Sequence, residues 1–412
     1  MAMTPDNPFF ITARIPDPYF CDRKAETEQL IDYIHNGYNV VLKAPRRIGK
    51  SSLIRHLFQQ PEIKSRYNTL YVDIFGSRDL SDFINEFQRA FLAAPIAKGE
   101  KTMKKIKAYF SNPYFSISDS LNGTPLPKIG FTAPHTVEYT LQEMFDVLEK
   151  TDKPNLVVFD EFQQIQNYPQ RAAAILRSYT QQMNNTRFIY SGSSRHLLQT
   201  MFEVSGEPFY KSAMPMNLDI ISLSAYREFC SSMFHLYKKE IDADAIDMVY
   251  NLFSGNTYDI QVVMKGTFAQ TAPREKASQD TALSAIFEIL ENREQDFREK
   301  MNELDNQKER KTLYCIAREG LATGLTSSQM LKQYQLDNAS SVQNALKNLC
   351  GDKLNLVSRV GKNHYRLQDR FFELWFAKTD GRFDEKISTA KDAFDKERAL
   401  TGVTSAPPSQ SI

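Results

Sequence analysis

The step Gly49-Lys50-Ser51 constrains this chain more than any other feature, because of what flanks it. Asn39-Val40-Val41-Leu42 ahead of it reads as a short buried strand. Ser51 to Gln59 behind it reads as a helix with Leu53, Ile54 and Leu57 inward. The run Lys43-Ala44-Pro45-Arg46-Arg47-Ile48 completes the pattern G-x-x-x-x-G-K-[ST], with Ala44 in place of the first glycine. A strand, a tight loop and a helix N-terminus together surround a phosphate with backbone N–H groups. In that arrangement Gly49 lets the backbone wrap closely and Lys50 neutralises β/γ-phosphates. Ser51 offers its hydroxyl to Mg²⁺. Ala44 weakens the wrapping only mildly provided its φ is negative.

The pattern around the loop predicts an α/β fold. A helix from Ala25 to about Asn36, stopped by Gly37, precedes the first strand. Leu70 to Ile74 reads as a second strand and Leu80 to Ala94 as a helix, and helix returns at Val137 to Glu149. Leu156 to Phe159, Phe188 to Ser191 and Leu218 to Leu223 read as the third to fifth strands. Apolar strands alternating with helices argue for a mostly parallel sheet covered on both faces. Residues 95–135, polar and broken by Gly and Pro, read as an insertion. After Ala225 four helical segments follow: Tyr226 to Leu236, Ala243 to Phe253, Asp259 to Gln270 and Thr281 to about Asn302. Three short helices (307–319, 326–334, 338–350) and two candidate wing strands (356–360, 364–367) then fit a winged helix. The expected divisions are a core at 1–225, a helical lid at 226–304, a winged helix at 305–380 and a disordered tail at 381–412.

Composition narrows the class. At 412 residues the chain is long enough for two or three domains. Lys and Arg total 51 against 50 Asp and Glu, which excludes a uniformly basic nucleic-acid coat or an acidic tail protein. Cys21, Cys230, Cys315 and Cys350 show no CxxC spacing, and the six histidines form no HExxH, so a protein-ligated transition metal is not expected. Asp6 and four prolines interrupt the first 18 residues, unlike a signal peptide. No run approaches the roughly 20 apolar residues of a membrane span. The expectation is a cytoplasmic protein without membrane contact.

Two further motifs carry chemistry. Leu156 to Phe159 ends in Asp160-Glu161. At that strand tip Asp160 can hold Mg²⁺ through water, and Glu161 can orient and polarise an attacking water. Another strand, 70–74, lies between the loop and these carboxylates, which suits the ATPases that insert one and use a glutamate base. Phe188-Ile189-Tyr190-Ser191-Gly192-Ser193-Ser194-Arg195 places polar groups where a γ-phosphate can be sensed, and Arg195 is the candidate cation. A nuclease has no motif here.

Phe20-Cys21-Asp22-Arg23 before a helix, the loop through Leu53, Val157-Val158-Phe159-Asp160-Glu161-Phe162-Gln163 and Tyr190 to Arg195 together resemble the archaeal-type P-loop ATPases. That group lies close to the AAA+ and signal-transducing STAND ATPases, and the resemblance covers most of residues 8 to 270. It implies ATP with Mg²⁺ as cofactor, held by Ala44, Pro45, Arg46, Arg47, Ile48, Gly49, Lys50, Ser51 and Ser52, and an adenine framed by Phe20 and Arg23. Arg46 and Arg47 match the family's arginine pair. Pro208-Phe209-Tyr210-Lys211 carries Lys where the family has Arg, and Phe253 to Gln261 resembles the start of its lid helix with Thr257 in place of Pro.

In the terminal module, Lys308 to Arg370 holds eleven Lys or Arg against five Asp or Glu. Ser340, Gln343, Asn344 and Lys347 on the third helix, with Arg359, Lys362, His364 and Arg366 on the wing, suit duplex DNA. Related winged helices also act as intramolecular clamps or protein-binding surfaces, so a protein partner or self-association stays open. The sequence therefore supports a Mg²⁺-dependent ATPase that moves its lid and winged helix between ATP and ADP states. The alternative is a nucleotide-gated switch or DNA-binding regulator that does not hydrolyse.

Overall fold

The computed structural model describes residues 5–94, 115–118, 126–129, 134–169, 171–304, 306–351, 354–360 and 363–401. Most of the 95–135 insertion, Lys362 of the wing and the tail from residue 402 lie outside the described residues. Two compact units are present. One holds Thr12–Asp17 and Arg23–Leu218; the other holds Pro18–Asp22, the described residues before Thr12 and those from Asp219 onward. The helical segment and the terminal module thus share a unit, and the division falls at Leu218 rather than after residue 225.

The first unit is built on strands β1 (Val40–Lys43), β2 (Asn68–Asp73), β5 (Asn155–Asp160), β6 (Thr186–Gly192) and β7 (Met214–Asn217). A hairpin of β3 (Phe115–Ser118) and β4 (Leu126–Ile129) stands apart from them. The five strands are parallel, in the order β2-β5-β6-β1-β7. Every residue of β1 and β5 is buried, as expected for a sheet covered on both faces.

Alternation along the strands separates two surfaces. Val41, Leu70, Val72, Val157, Phe159, Phe188 and Tyr190 belong to one core with Phe83, Phe87, Phe145, Phe202 and Phe209. Its rings interlock, with centroids 5.9 Å apart for Phe159 and Phe188 and 4.7 Å for Phe162 and Tyr190. The opposite parity places Tyr71, Asp73, Val158, Asp160, Ile189, Ser191 and Leu42 on the other face. Polar groups on that face sit near the carboxyl ends of the strands, where open α/β sheets bind ligands.

Two sequence expectations change here. The fifth strand is Met214–Asn217, not Leu218 to Leu223. Ser222 instead caps a helix, Leu223–Leu236, by accepting from Ala225 N at 3.2 Å. Pro215 fits in β7 because this strand is an edge, where the missing N–H costs no ladder bond. The strand between the loop-bearing β1 and the carboxylate-bearing β5 is β6; strand 70–74 is the opposite edge.

In the second unit the helices Leu223–Leu236, Ala243–Leu252 and Thr257–Gln270 match the sequence pattern closely. The long helix expected from Thr281 to Asn302 divides into Gln279–Asn292 and Glu294–Asn302 at Arg293, whose φ of −103° and ψ of 3° leave the helical region. Strand pair β8 (Glu240–Ile241) and β9 (Lys276–Ala277) ties this part together. The winged helix follows with helices Gln307–Glu319, Ser328–Gln333 and Ala339–Leu349. Their first turns are capped by Asn306, Ser327 and Asn338. Its sheet has three strands, β10 (Ala322–Thr323), β11 (Val357–Arg359) and β12 (His364–Leu367), ordered β10-β12-β11.

The segment expected to be a tail forms a helix, Phe383–Thr401. Phe383 meets Phe287 at 4.7 Å, Phe394 meets Tyr250 at 5.6 Å, and Ala390 between them is buried. Ion pairs add to these contacts. Glu397 binds Arg366, and Lys386 donates to Glu373 Oε1 at 2.7 Å. Arg370 donates to the other oxygen of Glu373 at 2.6 Å and to Ser254 Oγ at 2.6 Å. Arg366 is therefore spent inside the fold and is not an exposed wing cation. Gly320, at φ +72°, lies so close to Lys386 and Glu373 that a Cβ would come within 2.7 Å of Lys386 Nζ.

Burial alone would raise the Glu373 carboxyl, but Arg370, Lys386 and Arg366 pull it down to about 2, against 4.5 ordinarily. The unfolded chain then binds a proton between those values and the folded chain does not, so stability rises with pH across that window. Lowering the pH from about 4.5 to about 2 should remove on the order of 2–3 kcal/mol, measured by urea unfolding. Glu373→Gln should flatten that slope and lower stability at neutral pH.

Candidate functional site

The loop after β1 closes onto the helix Lys50–Gln59. Gly49 caps that helix at φ +93°, and no side chain caps its first turn, so the amides there remain directed at whatever occupies the loop. Ala44 is fully buried and its N–H donates to the Gly192 carbonyl at 3.3 Å. It adopts no left-handed backbone, which meets the condition for replacing glycine. Arg47 does adopt one, at φ +67°, a conformation costing a non-glycine residue about 1 kcal/mol. Arg46 and Arg47 are exposed, Pro45 and Ser52 half-buried, and Ile48 buried.

Arg23 supports this loop from behind. It is buried, pairs with Glu26 at 2.6 Å and donates from Nη2 to the Ile48 carbonyl at 3.2 Å. Its observed contacts thus shape the loop backbone. Phe20 is half-buried in the other unit.

Asp160, at the end of β5, gathers the polar face of the sheet. Its Oδ1 receives Lys50 Nζ, Ser191 Oγ at 2.6 Å and its neighbour Glu161 N at 2.9 Å. Its Oδ2 receives Ser51 Oγ at 3.2 Å and the hydroxyl of Tyr71. Burial by itself would raise this carboxyl, yet the ammonium of Lys50 and the Ser191 and Tyr71 hydrogen bonds hold it below the usual carboxylate range. The structure therefore joins Lys50, Ser51 and Asp160, as the motifs anticipated. Ser51 Oγ and Asp160 Oδ2 form an adjacent oxygen pair of the kind a hard divalent cation takes.

Glu161 sits beside them with φ +56°, and its Oε1 is 3.5 Å from Lys50 Nζ. Its Oε2 accepts from Ser193 Oγ at 2.8 Å and from Gln163 Nε2 at 2.5 Å. Arg46 Nε in turn reaches Ser193 Oγ at 3.4 Å. The expected sensor strand thus does converge on the carboxylates, through Ser191 and Ser193. Arg195 starts the helix Arg195–Glu203 and donates from Nη2 to the Leu218 carbonyl at 3.0 Å, beside the edge strand β7. Lys211 is exposed, with its ammonium 5.2 Å from the Tyr210 ring.

Sequence reasoning missed Tyr71 and Asp73. Tyr71 pairs in register with Val158, and Asp73 with Asp160, so period-two alternation turns both toward the face of Asp160. Only the pairing of β2 with β5 reveals this, since the two strands lie more than 80 residues apart. Burial, with Asp160 and Glu161 nearby, raises the Asp73 carboxyl.

Lys50 and Asp160 are both buried, so removing one strands the other's charge. Lys50→Ala should cost about 3 kcal/mol in the nucleotide-free protein, and Lys50→Ala/Asp160→Ala should recover part of it, read from urea midpoints.

Comparison with known proteins agrees with this geometry. Residues 20–263 match the family described as "ATPase domain predominantly from Archaea", and residues 295–378 match one described as "Probable winged helix domain". No curated protein matches the sequence. Among solved structures, the Walker-type ATPase PABY2304 of Pyrococcus abyssi is similar over 90% of this chain and 99% of its own, at 17% identity and a TM-score of 0.59. The ORC2 protein of Aeropyrum pernix, solved in ADPNP–ADP complexes, is similar over 92% and 96%, at 15% identity and a TM-score of 0.51. At those identities the likeness concerns the fold. Among the described residues no helix is long and apolar enough to cross a membrane. With more than half of its length matched by one family model, and a winged helix after it, the chain belongs to the family of ATPase domains found predominantly in Archaea.

Proposed function

We propose that this protein binds ATP with Mg²⁺ at the loop Ala44 to Ser52 and hydrolyses it to ADP and phosphate. The observation that carries this reading is the buried convergence of Lys50, Ser51 and Asp160 beneath an uncapped helix N-terminus, with Glu161 alongside. The amides of the Lys50–Gln59 helix and the Lys50 ammonium bind the phosphates, while Ser51 and Asp160 hold the cation. Mg²⁺ there would neutralise charge on the β- and γ-phosphates. Binding requires Lys50 to leave Asp160 Oδ1 for the phosphates. Glu161 is the base that orients and polarises water, and it must first release the Ser193 and Gln163 hydrogen bonds. Arg195, Arg46 and Arg47 are the cations assigned to the γ-phosphate, and Arg23, bonded to the Ile48 carbonyl, supports the loop that holds it. The chemistry is positioning plus charge stabilisation.

The solved relative that carries ADPNP and ADP supports a nucleotide as the ligand. The expected test is Mg²⁺-dependent phosphate release. Glu161→Gln should lower kcat by at least about 100-fold, as removal of a general base does, while leaving Lys50-dependent ATP binding in place. Retained turnover in Glu161→Gln would reject the role given to this residue. A wild type that binds ATP but releases no phosphate would leave the nucleotide-gated switch.

The winged helix is proposed as the output, acting on duplex DNA as the nucleotide state moves the helical lid. Ser340, Gln343, Asn344 and Lys347 are exposed along the helix Ala339–Leu349, and Arg359 is exposed on β11. Arg366 is excluded from this set by its largely shielded pair with Glu397. Replacing Lys347 and Arg359 with Ala should weaken duplex binding and reduce the slope of log K against log salt by about 2, whereas Ser340→Ala should leave the slope unchanged. A slope unaltered by the double replacement would favour a protein-binding or self-associating module.

A further inference from the structure

We propose that Tyr71 is a positioning residue for metal–nucleotide binding, its hydroxyl orienting the Asp160 carboxylate so that Oδ2 and Ser51 Oγ face one divalent cation together. The inference deepens the Mg²⁺-nucleotide reading and rests on it. Tyr71 lies on β2, two residues before Asp73, and its hydroxyl donates to Asp160 Oδ2. Ser51 Oγ donates to the same oxygen at 3.2 Å, so Tyr71 and Ser51 converge on one atom from the strand and from the loop.

The remaining donors divide unequally between the two oxygens. Oδ1 is fixed twice over, by Ser191 at 2.6 Å and by the Glu161 backbone at 2.9 Å, even after Lys50 has moved to phosphate. Once the Ser51 oxygen turns toward a cation, Oδ2 depends on Tyr71. A carboxylate pinned at one end only can rotate about its Cβ–Cγ bond, and the oxygen facing the cation then loses its alignment.

Tyr71 is itself well held. The guanidinium of Arg55, one turn along the helix from Ser51, lies 4.5 Å from the centre of its ring. The Tyr71 hydroxyl, a phenol, can donate to the carboxylate it touches. Partners that orient a metal-binding carboxylate from outside typically contribute about 10–100-fold in metal affinity.

The test is a titration of a fluorescent ATP analogue against the full chain, with Mg²⁺ varied and with EDTA. Tyr71→Phe should raise the half-saturating Mg²⁺ about tenfold and leave the EDTA affinity unchanged. Ser191→Ala should move it less, because Glu161 N still holds Oδ1. Should Tyr71→Phe fail to fold, Arg55→Gln unclamps the ring without touching the strand, and should raise the half-saturating Mg²⁺ in the same selective way by a smaller factor. Equal losses with Mg²⁺ and with EDTA would overturn the proposal, since they mean Tyr71 merely shapes the loop. An unchanged Mg²⁺ dependence in both variants would overturn it too. Absence of Lys50-dependent binding in the wild type would instead overturn the underlying nucleotide reading.

Discussion

The buried ion pair between Lys50 and Asp160 joins the loop to the sheet, and the geometry of the site follows from it. Two charges removed from water are held only when hydrogen bonds satisfy what the pair leaves over. Here Ser51, Tyr71, Ser191 and the adjoining Glu161 backbone do so, drawing three separate chain segments to the carboxylate at the end of β5. In the proposed function a polyanion at the loop would compete for Lys50 and its cation for Asp160, so that binding would replace one set of buried charges with another.

The sheet makes this convergence possible. One of its surfaces is a close aromatic core; the other carries the polar groups, and alternation keeps the two apart. Glu161 stands just past the strand with a left-handed backbone, which turns its side chain to Ser193 and Lys50. Such strain persists where surrounding contacts over-determine it, and here they include Gln163, Ser193 and the Glu161 N–H bond to Asp160.

In the second unit, ion pairs join apolar packing in holding the last helix. The helix Phe383–Thr401 buries Phe383, Ala390 and Phe394, and its Glu397 and Lys386 lock into Arg366, Arg370 and Glu373. Lys and Arg in this module are therefore of two kinds. Arg366 and Arg370 are internal, whereas Lys347 and Arg359 face solvent. A net positive count along the sequence does not distinguish them.

Local order determined much of this protein. The apolar tetrad before Gly49-Lys50-Ser51, the strand ending in Asp160-Glu161 and the polar end of β6 are contiguous signals, because backbone geometry ties a strand tip to the residues just beyond it. They were enough for the fold class, the loop and its principal carboxylates. Tertiary structure decided what depends on pairing between distant segments. The β2–β5 register brought Tyr71 and Asp73 to Asp160, an edge position admitted Pro215 into a strand, and Glu397, 31 residues further on, took up Arg366. A side chain's face and its partner are set by the neighbouring strand or helix, and that neighbour is chosen by the packed core rather than by adjacent sequence.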